Sequence, residues 1–428
     1  MPSYRAPRGT RDLLPDIRSG LSRLESIARS IADRYGYRAI EIPMFEQTAV
    51  FERGIGEATD VVEKELFRLA PRTEESEAWS LRPEATAGVV RAYVQHGLHT
   101  WPQPVKLSLI GPMFRYDRPQ AGRYRQFWQF DVEAIGDAGP GVDAEVVEMG
   151  IRFYEEAGLT GVRVLLNSIG DPVCRPAYLR QLRDYFGRHA AGLPDVERRR
   201  LEVNPLRLLD SKDPAMAALV AAAPRIADSL CEPCAGHFAA LRAHLDALGV
   251  AYRLEPTLVR GLDYYARTAF EYYREGAEGQ QQALGGGGRY DGLVELLGGR
   301  PTPAIGFALG LDRVLLTLEE VGAEAAKEPS PVAFVVGADP ADTAARLRVA
   351  SMLRAEGLTV RVELTPRKLG RQLESASRER AHFAVIIGDE LADGNVQLKD
   401  LEAGTQRLVP LTELAKDLAR AAKTHHHG

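Results

Sequence analysis

The sequence predicts an α/β protein with two domains: a mixed, mainly antiparallel sheet flanked by helices and carrying a helical insertion, followed by a small α/β domain. Residues 105–114 and 125–135 show strand patterns joined by a loop of proline, glycine and arginine, which indicates a long-looped antiparallel hairpin. Between about 172 and 250 the pattern becomes helical and rich in alanine, leucine and arginine. Beyond Pro331, apolar strands alternate with helical segments, which is typical of a separate α/β unit.

The first predicted element is a long helix that ends near Gly36. Asp16 follows a proline and is expected to cap this helix. The apolar residues of the helix recur at helical spacing and form one face: Ile17, Leu21, Leu24, Ile27, Ala28 and Ile31. Residues 38–43, in which Ile40 and Ile42 alternate with other residues, predict a strand that ends at a proline. A long helix followed by an edge strand is therefore expected at the start of the fold.

The second arm of the hairpin has two chemically different faces, because successive strand residues point to opposite sides of a sheet. One face is apolar and is expected to join the core: Trp128, Phe130, Val132 and Ala134. The other face is mainly polar: Phe127, Gln129, Asp131 and Glu133. A half-exposed strand is the ordinary interpretation, but the arginines of the adjoining loop favour a binding face.

The segments that carry unusual motifs resume after the insertion and continue to Val321, and residues 322–331 are typical of a linker. The expected boundaries are 1–325 for the first domain with its insertion at about 172–250, 326–424 for the second domain, and 425–428 for a cloning remnant. Within the second domain the patterns predict strands at 332–336, 359–362 and 384–387 and helices at 341–356 and 368–380.

Composition excludes several classes of protein. Of the 428 residues, 45% are hydrophobic and 26% charged, as in an ordinary globular protein, and no apolar run approaches the roughly 18 residues that cross a bilayer. The net charge of −5 argues against a simple nucleic-acid coat protein. With three cysteines and no apolar leader, we expect no disulfide framework and a cytoplasmic location.

Four segments place arginines beside carboxylates, tyrosines or glycines: SLRPEATAG (80–88), GPMFRYDRPQAGRYRQFWQFDVEAIG (111–136), LVRGLDYYARTAFE (258–271), and GGGGRYDGL through AIGFALGLDRV (285–314). One guanidinium group can bind two phosphate oxygens at once, whereas carboxylates and phenols bind ammonium or imidazole groups. These segments therefore predict one site that holds phosphates together with a zwitterionic or cationic small molecule.

The glycines at 285–288 do not form a Walker A phosphate loop, because no Lys-Ser or Lys-Thr pair follows them. A tight turn between strands, with glycine at positive φ, is the preferred interpretation over direct phosphate contact.

Cys231 and Cys234, with His237 close behind, resemble half of a zinc site. A closed structural zinc site needs four ligands, and Cys174 is the one further thiolate in the sequence. Metal-free cysteines buried in the helical insertion are the preferred interpretation, so no metal site is expected.

Together the four segments resemble the class II aminoacyl-tRNA synthetases, and specifically the histidyl-tRNA synthetase family. The first helix and strand resemble motif 1, residues 111–136 resemble motif 2, and residues 304–314 resemble motif 3. LVRGLDYY and GGGGRYDGL resemble two peptides peculiar to the histidine enzymes. The resemblance covers nearly the whole chain and implies a class II synthetase sheet with a C-terminal anticodon-binding α/β domain.

The resemblance implies a role for each matching residue. Arg115 would bind the α-phosphate of ATP and Phe127 would stack on adenine, while Arg313 would bind the γ-phosphate. Arg260 would act beside the α-phosphate. Histidine would be held by its α-amino group at Glu84, Thr86 and Gln129, and by its imidazole at Glu133, Tyr265 and Tyr290.

Some positions depart from the commonest pattern of the family. Ala85 stands where glycine is frequent, and Ala266 where asparagine is common. Asp131 stands where many members have a small residue, and it adds a carboxylate to the strand face that carries Glu133. The assignment of Glu133 as the acceptor for the imidazole is therefore open at this point.

The family also implies partners and a cofactor: ATP with Mg²⁺, L-histidine, histidine tRNA, and a second copy of the chain in a homodimer. Arg118 and Gln120, in the loop of the hairpin, resemble the residues that contact the extra 5′ guanosine of histidine tRNA. In the second domain four basic residues are candidates for RNA phosphates, although scattered surface charge is the usual explanation: Arg367, Lys368, Arg371 and Lys399.

The resemblance leaves two alternatives. One is the non-catalytic, histidine-binding paralogue that regulates ATP phosphoribosyltransferase, which usually lacks the C-terminal domain and the catalytic arginines. Arg115, Arg260 and Arg313 are all present and the C-terminal segment is complete, which favours the enzyme. A synthetase for another amino acid is disfavoured by the two histidine-specific peptides.

Overall fold

The structure is a computed structural model that describes residues 4–56, 59, 61–70, 73, 77–118, 122–211, 213–259, 264–276, 283–323, 330–339 and 341–425. The chain forms two compact units, Met1–Ala326 and Lys327–Gly428. Among the described residues no helix is both long and apolar enough to span a membrane.

The first unit is built on an eight-stranded sheet. In chain order the strands of this unit are β1 (Arg38–Ala39), β2 (Phe45–Gln47), β3 (Trp79–Leu81), β4 (Val105–Phe114), β5 (Gln126–Ile135), β6 (Val162–Ser168), β7 (Tyr252–Leu254), β8 (Ala266–Arg274), β9 (Gly285–Arg289) and β10 (Ala304–Gly310). The sheet order is β1-β4-β5-β10-β9-β8-β6-β7, with parallel pairing in the two outermost pairs and antiparallel pairing elsewhere. Strands β2 and β3 form a separate ribbon. The predicted mainly antiparallel sheet is thus confirmed.

Helices cover both faces of this sheet. The helices of the first unit are α1 (Pro15–Arg34), α2 (Thr48–Ile55), α3 (Thr86–Gln95), α4 (Pro140–Ala157), α5 (Arg175–Gly187), α6 (Asp195–Val203), α7 (Ala217–Ala221), α8 (Glu232–Ala247), α9 (Leu293–Leu296) and α10 (Leu311–Glu320). One core lies between the sheet and α1, α4 and α10, and another lies on the face that α3 and α9 cover.

The hairpin β4–β5 pairs in register from Val105 with Ile135 to Phe114 with Gln126, as the sequence predicts. Phe130 shows how the apolar face is held: its ring lies 5.5 Å from that of Phe153 and 5.3 Å from that of Phe307, measured between centroids, and it is fully buried. Truncating such a residue to alanine costs about 3–5 kcal/mol. The opposite face of β5 is thereby turned towards the candidate site.

Two details near the N-terminus differ from the prediction. Helix α1 begins at Pro15 with Leu14 as its N-cap and no side-chain cap, so Asp16 lies inside the first turn, where a carboxylate still favours the positive end of the helix dipole. The strand predicted at 38–43 ends as β1 after two residues. Its continuation is diverted because the carbonyl of Ile42 accepts a 2.7 Å hydrogen bond from the guanidinium of buried Arg82.

The prediction of a turn at the tetraglycine is wrong. Gly285–Gly288 belong to β9, a central strand between β10 and β8, and none of the four has a positive φ. Close packing explains the glycines instead: a Cβ on Gly287 would lie 2.0 Å from the carbonyl oxygen of Gly306, and one on Gly288 would lie 2.8 Å from the Tyr265 ring. Any side chain here would push neighbouring strands and that tyrosine apart.

The segment between β6 and β7 contains only helices among its described residues, as predicted for the insertion. Its helices α5, α6 and α7 surround a small core of their own: Tyr178, Leu182, Phe186, Leu208, Met216 and Ile226. Helix α8 instead packs on α4, and its Leu241 and Leu245 are buried in the main core.

The second unit contains the predicted strands and helices as β11 (Ala333–Gly337), α11 (Thr343–Ala355), β12 (Val360–Val362), α12 (Leu369–Arg378) and β13 (Phe383–Ile387). It also contains three elements that the sequence patterns do not predict: β14 (Asn395–Asp400), β15 (Gln406–Pro410) and α13 (Leu411–His425). The sheet order is β12-β11-β13-β14-β15. The outer strand β15 is mostly exposed, so it lacks the apolar run that marks a buried strand.

Candidate active site

A cavity of about 440 Å³ lies on the polar face of β5 and is lined by residues from all four unusual segments. Its two ends differ in chemistry. One end carries arginines, namely Arg115, Arg123 and Arg313, and the other carries carboxylate, hydroxyl and phenol groups, namely Glu84, Thr86, Tyr264, Tyr265 and Tyr290. Ligand sites are typically concave and hold a few converging polar groups, which is the arrangement found here.

The arginine end is fixed by contacts with the backbone. Arg115 donates from Nε to the carbonyl of Pro83 at 2.8 Å, and its guanidinium carbon lies 5.5 Å from the centre of the Phe127 ring. Arg313, at the start of α10, donates to the carbonyl of Ala283. Burial lowers the pKa of Arg313, and the neighbouring positive charges of Arg123 and Arg115 lower it further. Guanidinium groups that repel one another in this way form a site for a polyanion.

Asp312 connects the arginine end to the hairpin. Its Oδ2 accepts a 2.6 Å hydrogen bond from the backbone N–H of Trp128, and its Oδ1 accepts one of 2.6 Å from Arg11. Asp312 is buried at the first turn of α10, so it holds the residue next to it, Arg313, against β5.

At the opposite end Glu84 stands at the N-terminus of α3. Its two carboxylate oxygens accept hydrogen bonds from the backbone N–H groups of Thr86 at 2.8 Å and Ala87 at 2.9 Å. Burial raises the pKa of Glu84, although these hydrogen bonds act in the opposite direction. The carboxylate thus also caps α3, because the first backbone N–H groups of a helix have no partner within the helix.

Glu133 lies immediately behind this wall and is 2% exposed. Its carboxylate accepts hydrogen bonds from Thr86 Oγ1 at 2.6 Å and from the Tyr290 hydroxyl. Gly306 on the neighbouring strand leaves room for it, since a Cβ there would lie 2.0 Å from Glu133 Oε2. Burial raises the pKa of Glu133 well above its usual range. In this structure Glu133 therefore holds Thr86 and Tyr290 in place.

Two further residues of the same strand face have unsatisfied oxygens. Gln129 lines the cavity, and its Oε1 has no hydrogen-bond partner in the described part of the chain. Asp131 is 1% exposed, and neither of its carboxylate oxygens has a partner among the described residues. Burial raises the pKa of Asp131 well above its usual range, and the nearby Glu84 carboxylate raises it further. Asp131 is thus a buried acid beneath the site that the motif comparison does not explain.

The structure brings most of the predicted residues together. Those that line the cavity are Glu84, Thr86, Arg115, Phe127, Gln129, Tyr265, Tyr290 and Arg313. Arg118 lies in the hairpin loop with its side chain exposed, and its backbone N–H donates to Asp117. Arg260 and Gln120 lie outside the described residues.

Several residues that line the cavity were not predicted from the sequence, among them Arg123, Tyr264 and Glu271, and Arg200 and Arg207 of the helical insertion. Arg123 belongs to the run of arginines in the hairpin loop, which pointed to this region without singling it out. Tyr264 precedes Tyr265 in the same motif, and the two rings lie 4.6 Å apart. Glu271 lies on β8 and is the last residue of the segment LVRGLDYYARTAFE, in which the resemblance to the family gave it no role.

The cysteines also differ from expectation. His237 does not join them, because its Nε2 lies 2.9 Å from Asp143 Oδ2 in a buried network with Arg289 and Thr268. Instead, Asp171 joins Cys174, Cys231 and Cys234 in one cluster.

Two family profiles match successive parts of the chain, and relatives match it over nearly its whole length. The profile of the histidyl-tRNA synthetase family matches residues 9–314, and that of the anticodon binding domain matches residues 326–420. The chain is 47% identical to the histidine–tRNA ligase of Desulforudis audaxviator over 97% of this chain and 99% of that protein. It is also 47% identical to the histidine–tRNA ligase of Thermosynechococcus vestitus over 99% of this chain and 98% of that protein.

Solved structures give the same result. The crystal structure of apo S. aureus histidyl-tRNA synthetase matches with a TM-score of 0.80 and 36% identity, covering 97% of this chain and 100% of that one. An ATP phosphoribosyltransferase regulatory subunit/histidyl-tRNA synthetase from Bacillus halodurans, at 22% identity and a TM-score of 0.63, shares the fold. The family profile covers most of the chain, and the relatives are close to half identical over nearly their whole length. Both findings identify the same family. The chain belongs to the histidyl-tRNA synthetase family.

Proposed function

We propose that this chain is a histidine–tRNA ligase that works in two steps at the cavity described above. A carboxylate oxygen of histidine attacks the α-phosphorus of ATP and forms a new oxygen–phosphorus bond, while the bond from the α-phosphorus to the oxygen bridging to the β-phosphate breaks and pyrophosphate leaves. A hydroxyl of the 3′-terminal adenosine of histidine tRNA then attacks the acyl carbon, and AMP leaves. The observation that carries this proposal is the juxtaposition of an arginine cluster with a carboxylate and phenol pocket in one cavity.

The arginine end suits ATP. As the family resemblance implies, Arg115 is assigned to the α-phosphate, Arg313 to the γ-phosphate, and Phe127 to stacking on adenine. Arg123 adds a third positive charge to the same wall. Because fixed guanidinium groups interact more strongly as negative charge builds up on the phosphoryl oxygens, they lower the barrier to adenylation as well as binding ATP.

The opposite end suits histidine. Glu84, Thr86 and Gln129 are assigned to the α-amino group, and the unsatisfied Oε1 of Gln129 is an acceptor that an ammonium group would satisfy. Glu133, Tyr265 and Tyr290 are assigned to the imidazole. An apolar amino acid would leave these buried polar groups unpaired, which in comparable sites rejects analogues by factors of about 10⁴.

Magnesium is expected to accompany ATP, and the residues fit it. Glu271 is a buried carboxylate on the cavity wall whose charge acts on Arg313. Magnesium in phosphate sites is usually held by one or two carboxylates together with phosphate oxygens. Glu271 is therefore assigned as the carboxylate that would hold the ion, which would neutralise charge on the phosphates.

Arg260 is assigned beside the α-phosphate on the strength of the LVRGLDYY motif alone. The alternative is a structural ion pair with a neighbouring carboxylate such as Asp263. If Arg260 is catalytic, Arg260→Ala slows adenylation by at least about 10² with a smaller change in histidine affinity. A structural role would lower the melting temperature and weaken both substrates.

The remaining assignments concern partners. Arg118 and Gln120 in the hairpin loop are assigned to the 5′ end of histidine tRNA, and the second unit, Lys327–Gly428, to its anticodon. The first helix and edge strand are assigned to a homodimer interface, which sedimentation would test. Because ATP and tRNA are its substrates, we assign the protein to the cytoplasm.

Histidine-dependent exchange of pyrophosphate into ATP tests the first step, and charging of histidine tRNA tests the second. Both activities are expected. A well-folded chain that binds histidine but shows no exchange would instead be a regulatory paralogue, and exchange that depends on another amino acid would overturn the specificity.

A further inference from the structure

Three cysteines and one aspartate meet where the helical insertion leaves the sheet. Asp171 follows β6, Cys174 is the N-cap of α5, Cys231 is the N-cap of α8, and Cys234 lies in the first turn of α8. Three sulfur atoms and a carboxylate oxygen all lie within 4.8 Å of one another. All three cysteines are free. Asp171 and Cys174 are separated by two residues, as are Cys231 and Cys234. This spacing is common in structural zinc sites.

The distances suit a tetrahedral ion. Cys174 Sγ lies 3.4 Å from Asp171 Oδ1, and Cys231 Sγ lies 3.8 Å from the same oxygen. With zinc–sulfur bonds of about 2.3 Å and zinc–oxygen bonds of about 2.0 Å, a sulfur and an oxygen at neighbouring corners of a tetrahedron are about 3.5 Å apart. Only small side-chain shifts would be needed to close the four ligands on an ion.

Three of the four ligands are buried, Cys231 is partly exposed, and backbone hydrogen bonds orient Asp171 and Cys174. Cys174, Cys234 and Asp171 are 7%, 1% and 8% exposed. Asp171 Oδ1 accepts hydrogen bonds from the backbone N–H groups of Val173 at 3.0 Å and Cys174 at 3.2 Å, and the N–H of Asp171 points to Cys174 Sγ at 3.4 Å. Such outer hydrogen bonds hold ligands in place in metal sites. A closed set of four ligands is typical of a structural ion rather than a catalytic one.

The surrounding charges match a loaded site. A divalent ion with three thiolates and one carboxylate carries a net charge of about −2. The Arg267 guanidinium lies 3.5 Å from Asp171 Oδ2 and supplies one positive charge. The N-termini of α5 and α8 both face the cluster, and each contributes about half a positive charge. The sum is close to zero, so the protein provides an environment in which the anionic ligands and the ion are neutralised.

Arg267 reaches this position through an unusual backbone. It has a φ of 54°, in the left-handed region that non-glycine residues rarely adopt, at a bulge between Ala266 and Ala269. Its N–H donates to the carbonyl of Gly170 and its carbonyl accepts from Ile169, both at 2.7 Å, beside Asp171. Strain of this kind persists where the surrounding structure requires it. Here it keeps a positive charge next to the carboxylate.

We propose that Asp171, Cys174, Cys231 and Cys234 bind one structural zinc ion. Thiolate ligands select zinc over magnesium or calcium, which prefer oxygen ligands. The sequence alone favoured metal-free cysteines because it supplied three thiolates and no fourth ligand, and Asp171 is that ligand. The ion would tie the start of α5 to the start of α8 and so join the two ends of the part of the insertion that contains α5, α6 and α7.

The test measures metal in the full chain, purified without a chelator or a metal-affinity column. Elemental analysis after dialysis against metal-free buffer is expected to find about one zinc per chain. Cobalt substituted for zinc is expected to give the intense visible absorption of a tetrahedral ion and a thiolate-to-cobalt charge-transfer band. Cys234→Ser is expected to retain less than about a tenth of the zinc and to lose part of that band. Val173→Ser, next to the ligands but with an exposed side chain, is the matched control and should retain the ion.

Asp171→Cys completes a four-thiolate site and is expected to keep the ion and to strengthen the charge-transfer band, which keeps the test decisive if Cys234→Ser does not fold. The proposal is overturned if the wild-type chain holds no zinc and gives no charge-transfer band with cobalt. It is equally overturned if Cys234→Ser retains zinc at the wild-type level. A disulfide among these cysteines, found by mass spectrometry of protein purified under reducing conditions, would also overturn it.

Discussion

The Thr86 hydroxyl donates a 2.6 Å hydrogen bond to the Glu133 carboxylate, which lies 47 residues away in the sequence. Thr86 is the first residue of α3, whereas Glu133 lies on β5. The second oxygen of the same carboxylate accepts the hydroxyl of Tyr290, which directly follows β9. One buried carboxylate therefore joins three separate segments of the chain behind the cavity and fixes two of the hydroxyl groups that face it.

Glu133→Gln is expected to weaken histidine binding with little effect on ATP. The amide has one acceptor oxygen, so one of the two hydroxyl donors is left without its partner in a buried site. Leaving a buried donor without a partner costs about 1–3 kcal/mol, so KM for histidine should rise by about 5- to 150-fold. Pyrophosphate exchange at varied histidine and at varied ATP measures the two effects. Glu145→Gln, which removes a partly exposed carboxylate paired with Lys106, is the control. An equal rise in both KM values would contradict the assignment.

Asp131→Asn is expected to stabilise the protein at neutral pH but not in acid. Burial and Glu84 raise the pKa of Asp131 in the folded chain, so the folded state keeps a proton that the unfolded state has lost above about pH 3.9. The contribution of Asp131 to the free energy of unfolding is therefore most favourable below that pH and declines as pH rises. Asparagine does not ionise, so the melting temperature difference from wild type should grow between pH 4 and pH 8, as thermal scans would measure. A constant difference across this range would show that Asp131 does not titrate as argued.

Sequence patterns predict an element well where its own residues decide the structure. The two faces of β5 differ so clearly that alternation alone separated Phe130 and Val132, which enter the core, from Gln129 and Glu133, which face the site. The strand pattern of β4 is equally local. These elements need no knowledge of distant partners, because the apolar face selects the core and the hairpin sets the register.

The wrong predictions involve partners distant in the sequence. The strand at 38–43 stops early because Arg82 takes the carbonyl of Ile42. The tetraglycine resembles a turn in isolation, but it pairs with β10 and β8 as a strand, and its glycines are needed because the carbonyl of Gly306 and the ring of Tyr265 approach closely. Asp171 escaped notice because an aspartate 60 residues before a cysteine carries no signal until the fold brings the two together.

Arg118 and Arg123 lie in the same loop and are expected to act in different steps. The Arg118 side chain is exposed, whereas Arg123 lines the cavity and lies 3.2 Å from Asp117. Arg118→Ala should slow transfer to tRNA by about tenfold or more and leave adenylate formation unchanged, because contacts with nucleic-acid backbones position the RNA. Arg123→Ala should slow adenylate formation instead. Single-turnover measurements separate the steps, and a matching loss of adenylation in Arg118→Ala would show that its placement is wrong.

A chain that stops after Ala326 is expected to activate histidine and to charge tRNA poorly. All the described residues of the cavity belong to Met1–Ala326, which is compact by itself, and the profile of the anticodon binding domain begins at residue 326. Pyrophosphate exchange should stay within about threefold of the full chain, while charging falls by about 10² or more because tRNA contacts are lost. Circular dichroism checks folding. Equal loss of both activities in a folded fragment would contradict the assignment of histidine activation to the first unit and of tRNA binding to the second.

Arg313→Gln is expected to weaken ATP binding while sparing, or even raising, stability without ATP. Burial and the positive charges of Arg123 and Arg115 already lower the pKa of Arg313, so the three groups repel one another when no anion is bound. Glutamine removes one of these charges while keeping a polar side chain at this position. The repulsion should therefore fall in the free protein, while the attraction for a triphosphate is lost.

Thermal scans with and without ATP and magnesium measure both effects. Ligand binding stabilises the folded chain by an amount that shrinks by about 1.4 kcal/mol for every tenfold loss of affinity at saturating ligand, so the ATP-induced rise in melting temperature should be clearly smaller in Arg313→Gln. Arg300→Gln removes an exposed arginine outside the cavity and should show the wild-type rise. High salt should diminish the difference between the two variants, since it screens charge interactions at the mouth of the cavity. An unchanged ATP-induced rise in Arg313→Gln would place the triphosphate elsewhere in the cavity.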